Sequence, residues 1–89
     1  MKEAMEQTIE RIAAMEACYD ALWAVADSPE TMSDGLKDSL KILVEYYHGG
    51  LWLKDYTLDE QGLLPRGLKR GVLSQDGVYD LLEHFTGVI

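Results

Sequence analysis

The chain has 89 residues, 16 acidic and 8 basic side chains, a net charge of −8 and 47% apolar residues. That length fits a single small domain, 1–89, which buries only roughly 60–65% of its unfolded surface and holds about 4–13 kcal/mol of net stability. The negative surplus removes the counterion-release drive for binding nucleic acid and disfavours anionic membranes.

No apolar run approaches the ~20 residues that span a bilayer. Residues 1–10 carry four charges and no apolar stretch, so they do not read as a signal peptide. Cys18 is the only cysteine. With no disulfide available within the chain and no export signal, the cytoplasm is the expected compartment.

Residues 1–27 are predicted as one long amphipathic helix. Met1, Met5, Thr8, Ile12, Met15, Tyr19, Leu22 and Ala26 recur at steps of three and four, while Glu3, Glu6, Glu10, Arg11, Glu16 and Asp20 occupy other faces. Pro29 disfavours helical geometry at Ser28 and stops the run. Ser28 can cap the next helix with Pro29 in its first position; Ser33 or Asp34 can cap a later start instead. From Leu36, the residues Leu40, Leu43, Val44 and Tyr47 line one face, and Gly49-Gly50 ends it. The two helices form an antiparallel hairpin over 1–49.

Residues 50–73 differ in kind. Gly62, Gly67, Gly71 and Pro65 interrupt any period, yet large apolar residues are dense, which predicts an ordered irregular segment with one helical turn at 51–56. Ser74, Gln75 and Asp76 then begin a short C-terminal helix over 74–86, with Val78, Leu81, Leu82 and Phe85 at helical spacing. The expected fold is all-α, with a three-helix core. Charge is uneven along it: residues 1–34 hold eight acids against Lys2 and Arg11, whereas residues 54–70 hold four bases against three acids.

Several motifs together carry a resemblance. Glu10-Arg11-Ile12, Met15-Glu16-Ala17, Tyr19-Asp20, Tyr46-Tyr47, Trp52 with Lys54-Asp55, Asp59-Glu60 with Gly62, Leu64-Pro65, the run from Leu68 to Ser74, Asp76 and Tyr79-Asp80-Leu81-Leu82 resemble the family called domain of unknown function 4298. Gln75, where the family commonly has an acid, Gly77 and a short hairpin loop depart from its pattern. The resemblance implies a small, mostly helical, cytoplasmic bacterial protein and brings no assigned activity.

Three constellations bear on function. Asp55, Asp59 and Glu60 form the densest carboxylate group. Read as a calcium loop from Asp55, they fail at Glu60, where glycine is needed, and at Arg66, where a bidentate glutamate is needed. Neither a metal nor a cofactor is therefore expected, and the carboxylates are candidates for structural ion pairs with Lys54, Arg66, Lys69 or Arg70. Arg66, Lys69 and Arg70, followed by Gly71 and the helix start at Ser74, form a candidate anion site, though not with P-loop spacing. The aromatic residues divide into expected core, Trp52 and Tyr47, and a candidate interaction surface, Trp23, Tyr46 and Tyr56.

No catalytic residues emerge. His84 lies ten residues beyond Ser74 on the same predicted helix, about 15 Å away, too far to serve as its base. Cys18 has Glu16 and Asp20 nearby, which does not favour a thiolate. Two functional readings follow. The first is a non-catalytic interaction module that self-associates as a homodimer, because the long first helix exceeds what its shorter partners can cover. The second is a small-ligand or anion-binding protein using the basic segment.

Overall fold

The computed structural model of the chain describes residues 4–74 and 76–87. The expected helical residues Met1 and Glu3, and Gln75 near the start of the last helix, lie outside them. Four α-helices and two single 3-10 turns make up its regular structure, and no strand occurs among the described residues, so the fold is all-α.

Helix α1 spans Met5–Trp23. It stops short of Asp27 because the bonding pattern tightens before Pro29: Val25 and Ser28 donate to Leu22 and Val25 at i→i+3 spacing, so 24–27 form turns rather than helix. The expected stripe is in place from Thr8 onward, with Thr8, Ile12, Leu22 and Ala26 buried and Met15 and Tyr19 half-buried, whereas Met5 is exposed. Two residues assigned to outward faces are not outward. Glu16 is buried and Arg11 is half-buried.

Ser28 does not cap α2. It precedes a 3-10 turn, Pro29–Thr31, in which its carbonyl accepts from the Thr31 backbone and hydroxyl. The later alternative is realised: α2 spans Asp34–His48, with the Ser33 hydroxyl accepting from the Leu36 amide at 3.2 Å. At its end no side chain fits at position 49, where a Cβ would sit 2.6 Å from the Glu45 carbonyl oxygen, and Gly50 takes φ +97°.

That tight turn launches a further helix at once. Helix α3 spans Leu51–Glu60, a correction to the expectation of a largely irregular segment with one turn at 51–56. Its end carries a Schellman pair, Leu63 donating to Leu58 and Gly62 to Asp59, with Gly62 at φ +71°. Residues 61–70 are irregular, and a second 3-10 turn, Gly71–Leu73, follows. Helix α4 spans Gly77–Glu83, so it starts three residues later than expected. Ser74 does not cap it by side chain; its backbone carbonyl accepts from the Gly77 amide.

One contiguous core joins Ile12 and Leu22 of α1, Leu40, Leu43 and Tyr46 of α2, Val72 and Leu73 of the second 3-10 turn, and Val78, Leu81 and Phe85 in and after α4. Helix α1 packs against α2, α4 and the 3-10 turn; α3 packs against α2 and that same turn. The one fully buried residue of α3 is Asp55, while its Trp52 and Leu58 pack, half-buried, against the core.

Candidate functional site

Three helices meet at Asp55. Its carboxylate is fully buried and accepts from Arg11 Nε of α1 at 2.9 Å, from Arg11 Nη2, and from the Tyr46 hydroxyl of α2 at 2.7 Å. The bidentate guanidinium and the hydroxyl satisfy the carboxylate from two sides, which a buried charge requires. Burial, and then the hydrogen bond to Asp55, push the Tyr46 hydroxyl far above its ordinary pKa. Tyr46 therefore does not belong to an exposed platform: its ring packs in the core and its hydroxyl is committed to Asp55. Asp55 pairs with Arg11 of α1 and not with the basic segment expected to supply its partner.

A second buried carboxylate ties α1 to the second 3-10 turn. Glu16 accepts from the Val72 amide at 2.8 Å across 56 residues of sequence. Gly71 lies close beside it: a Cβ there would approach the two Glu16 carboxylate oxygens at 3.2 and 3.5 Å and the Tyr19 ring at 3.4 Å. Trp52 completes the attachment by donating its indole N–H to the Val72 carbonyl at 2.8 Å.

Two cations of the candidate anion site, Lys69 and Arg70, point to different carboxylates. Lys69 pairs with Asp20 at 2.9 Å on the surface, and that contact raises its pKa. Arg70 donates to Asp59 at 2.7 Å and to the Arg66 carbonyl at 3.4 Å. Gly71 serves the packing against Glu16 and Tyr19, and Ser74 stands exposed at the end of the 3-10 turn. Helix α4 has only seven residues. Glu60 lies one helical turn beyond Tyr56 on α3, and its carboxylate raises the pKa of the Tyr56 hydroxyl. Among the described residues, no three His, Cys, Asp or Glu side chains gather as metal ligands.

Two open grooves mark the surface. One, of about 380 Å³, lies between α1 residues Ala13, Glu16, Ala17 and Asp20 and the segment 67–69. The other, of about 360 Å³, lies over the Asp55 cluster and is lined by Arg11, Met15, Ile42, Glu45, Tyr46 and Leu51. Ile42 is 48% exposed and Leu51 43%, so two large aliphatic side chains flank it in water. Sequence reading did not single out this pair. Ile42 sits beside the buried face of α2, and the signal available was a β-branched aliphatic residue one position off the helical stripe.

Five other aromatic residues form two groups at or near the surface. Trp23, 37% exposed, meets Tyr19 edge-on at 6.2 Å and His84 at 5.1 Å. Tyr56 stacks on Trp52 at 4.9 Å with an interplanar angle of 13°, and Tyr47 meets Trp52 edge-on at 5.1 Å. Trp52 and Tyr47, expected in the core, are half-buried at its margin. His84 Nδ1 lies 2.9 Å from the Asp80 carbonyl, and Cys18 is half-buried.

Among the described residues no helix is long and apolar enough to cross a membrane. Neither a curated protein nor a solved structure matches the chain. A family model does, over residues 12–89, and its description is domain of unknown function (DUF4298). The motifs from Ile12 through Leu82 and the all-α architecture they build fall within that match, and the chain belongs to the DUF4298 family.

Proposed function

We propose that the protein is a non-catalytic interaction module that self-associates as a homodimer through the groove between Met15, Ile42 and Leu51. The supporting observation is the exposure of Ile42 and Leu51 on either side of that groove. Large aliphatic side chains grouped in water mark an interaction site when polar residues rim them, as Glu45 and Arg11 do here. A two-fold axis lets one patch cover its own copy, so Ile42 of each protomer meets the partner's apolar surface. The groove is also a favourable place for such contact in a chain of net −8, because a single acid, Glu45, lies among its six lining residues.

The alternative, anion binding by Arg66, Lys69, Arg70, Gly71 and Ser74, has weaker support, since Lys69 and Arg70 already face Asp20 and Asp59. Sedimentation equilibrium at micromolar concentration tests the dimer. The expected result is a species of twice the chain mass for the natural sequence and of the single chain mass for Ile42→Glu. A natural chain that sediments as a monomer overturns the reading.

A further inference from the structure

The groove between α1 and the segment 67–69 shares no lining residue with the groove assigned to the homodimer. One wall is a single helical face, because Ala13, Glu16, Ala17 and Asp20 stand at i, i+3, i+4 and i+7 of α1. Ala13 and Ala17 are exposed and too short to fill the space before half-buried Leu68. The resulting volume of about 380 Å³ suits a small ligand.

Glu16 gives this groove its chemistry. The residue is only 6% exposed, and its Oε1 accepts from the Val72 amide. Among the described residues no donor reaches Oε2. No buried side-chain oxygen among them lacks a partner, so Oε2 is not sealed, and the groove that Glu16 lines is its way out. Gly71 leaves it uncovered on a further side, where a Cβ would stand 3.2 Å from Oε2. A carboxylate held this deep attracts a charged donor strongly, because little water screens the pair.

Two acids, Glu16 and Asp20, and one base, Lys69, line the groove. Lys69 does not neutralise Glu16: its ammonium bonds Asp20 at 2.9 Å, and its side chain is 75% exposed. Arg66 is exposed and outside the lining, and Arg70 turns to Asp59. The available acceptor is therefore one oxygen. A guanidinium fork needs both oxygens of a carboxylate, and Oε1 is already used; a compact ammonium needs one and can turn its other N–H bonds to Asp20 or water. An alkyl stem fits against Ala13, Ala17 and Leu68, as lysine stems lie along apolar surface.

We propose that the groove between α1 and residues 67–69 binds a primary alkylammonium group, with Glu16 Oε2 accepting its N–H bond and Ala13, Ala17 and Leu68 holding the stem. A free amine and a lysine side chain both present this chemistry. The inference does not depend on the homodimer, because the two grooves use different residues.

The test is a titration of the full chain with n-pentylamine at neutral pH, followed by backbone amide resonances. Saturable shifts confined to residues 13–20 and 67–72 are expected. Nα-acetyl-lysine methylamide, titrated in parallel, separates the sources: saturation by either supports the proposal, and the tighter of the two names the natural one. Glu16→Gln keeps an acceptor for Val72 but puts an amide NH2 in place of Oε2, and it weakens binding about tenfold. Ala17→Leu, an exposed change that leaves the Glu16 bond intact, fills the groove and weakens binding as well. Glu6→Gln with Glu10→Gln removes more charge from the same helix and leaves the affinity unchanged. Shifts that do not saturate, equal binding of n-pentanol or n-pentylguanidine, or a Glu16→Gln chain that binds as tightly as the natural one would overturn the proposal.

Discussion

Asp55 and Asp59 stand one turn apart on the same side of α3, and each pairs with an arginine, yet their surroundings are opposite. Asp55 is fully buried and accepts from Arg11 and Tyr46, so it links three helices. Asp59 keeps about a quarter of its side chain in water and pairs with an Arg70 that is itself one-third exposed. Water competes for the second pair and not for the first. The same chemical contact is therefore a structural joint at one position and a weak surface attraction at the other, which burial decides.

The sharpest way to break that comparison is at Asp55. Asp55→Ala leaves the Arg11 charge and the Tyr46 hydroxyl without their acceptor and is expected to cost about 3–5 kcal/mol in urea denaturation, a large part of the whole stability of so small a chain. Replacing the set by apolar residues, Arg11→Met with Tyr46→Phe and Asp55→Leu, should recover much of that loss, because no charge then remains to be desolvated. A triple variant as unstable as Asp55→Ala would mean that the pairing itself, and not the avoidance of an orphaned charge, dominates.

Next in size is Glu16→Ala, which strips the acceptor from the buried Val72 amide. A loss of about 1–3 kcal/mol is expected, with Glu16→Gln retaining much of the stability because its side-chain carbonyl can still accept. Tyr46→Phe removes one hydrogen bond and should cost about 1 kcal/mol at neutral pH. It also changes the alkaline limb. The folded chain holds the Tyr46 proton above the ordinary tyrosine value of about 10, where the unfolded chain releases it. Stability is thus fully present below about pH 10 and falls as the pH rises beyond it, and in Tyr46→Phe that fall should be shallower in urea titrations across the range.

The smallest effects belong to the surface pairs. Asp59→Ala and Lys69→Ala should each cost under about 1 kcal/mol, and the cost should shrink further in high salt. Salt acts in the opposite sense on self-association. Two copies of net −8 repel one another, so screening should tighten the dimer, and sedimentation at rising salt would show its dissociation constant falling.

The contrast between Asp55 and Asp59 also explains which elements could be read from the residues. α1 and α2 announce themselves because apolar residues recur at helical spacing on their inner faces, Ile12, Met15, Tyr19 and Leu22, then Leu40 and Leu43, even though α1 also buries Thr8 and Glu16. α3 is opaque to the same reading, since its buried position is an aspartate while Leu51 and Leu53 are exposed. The Schellman glycine at 62 was its most legible mark. Arg11 was readable only as one base in an acidic helix, directly beside buried Ile12, and its partner lies 44 residues away. Tyr46 and Tyr56 look alike as neighbours in an aromatic run, but one is sealed by the Asp55 cluster and the other stacks at the surface.

Composition and periodicity alone determined that this chain is helical, acidic and small, and they located the first two helices and the last. They could do so because those properties depend on side-chain type and on spacing within a turn or two. Tertiary structure decided which acids are joints, which aromatics face water and where the basic residues go. Those outcomes rest on contacts between residues 11 and 55, 16 and 72, and 20 and 69, and no local pattern records how far a carboxylate stands from water.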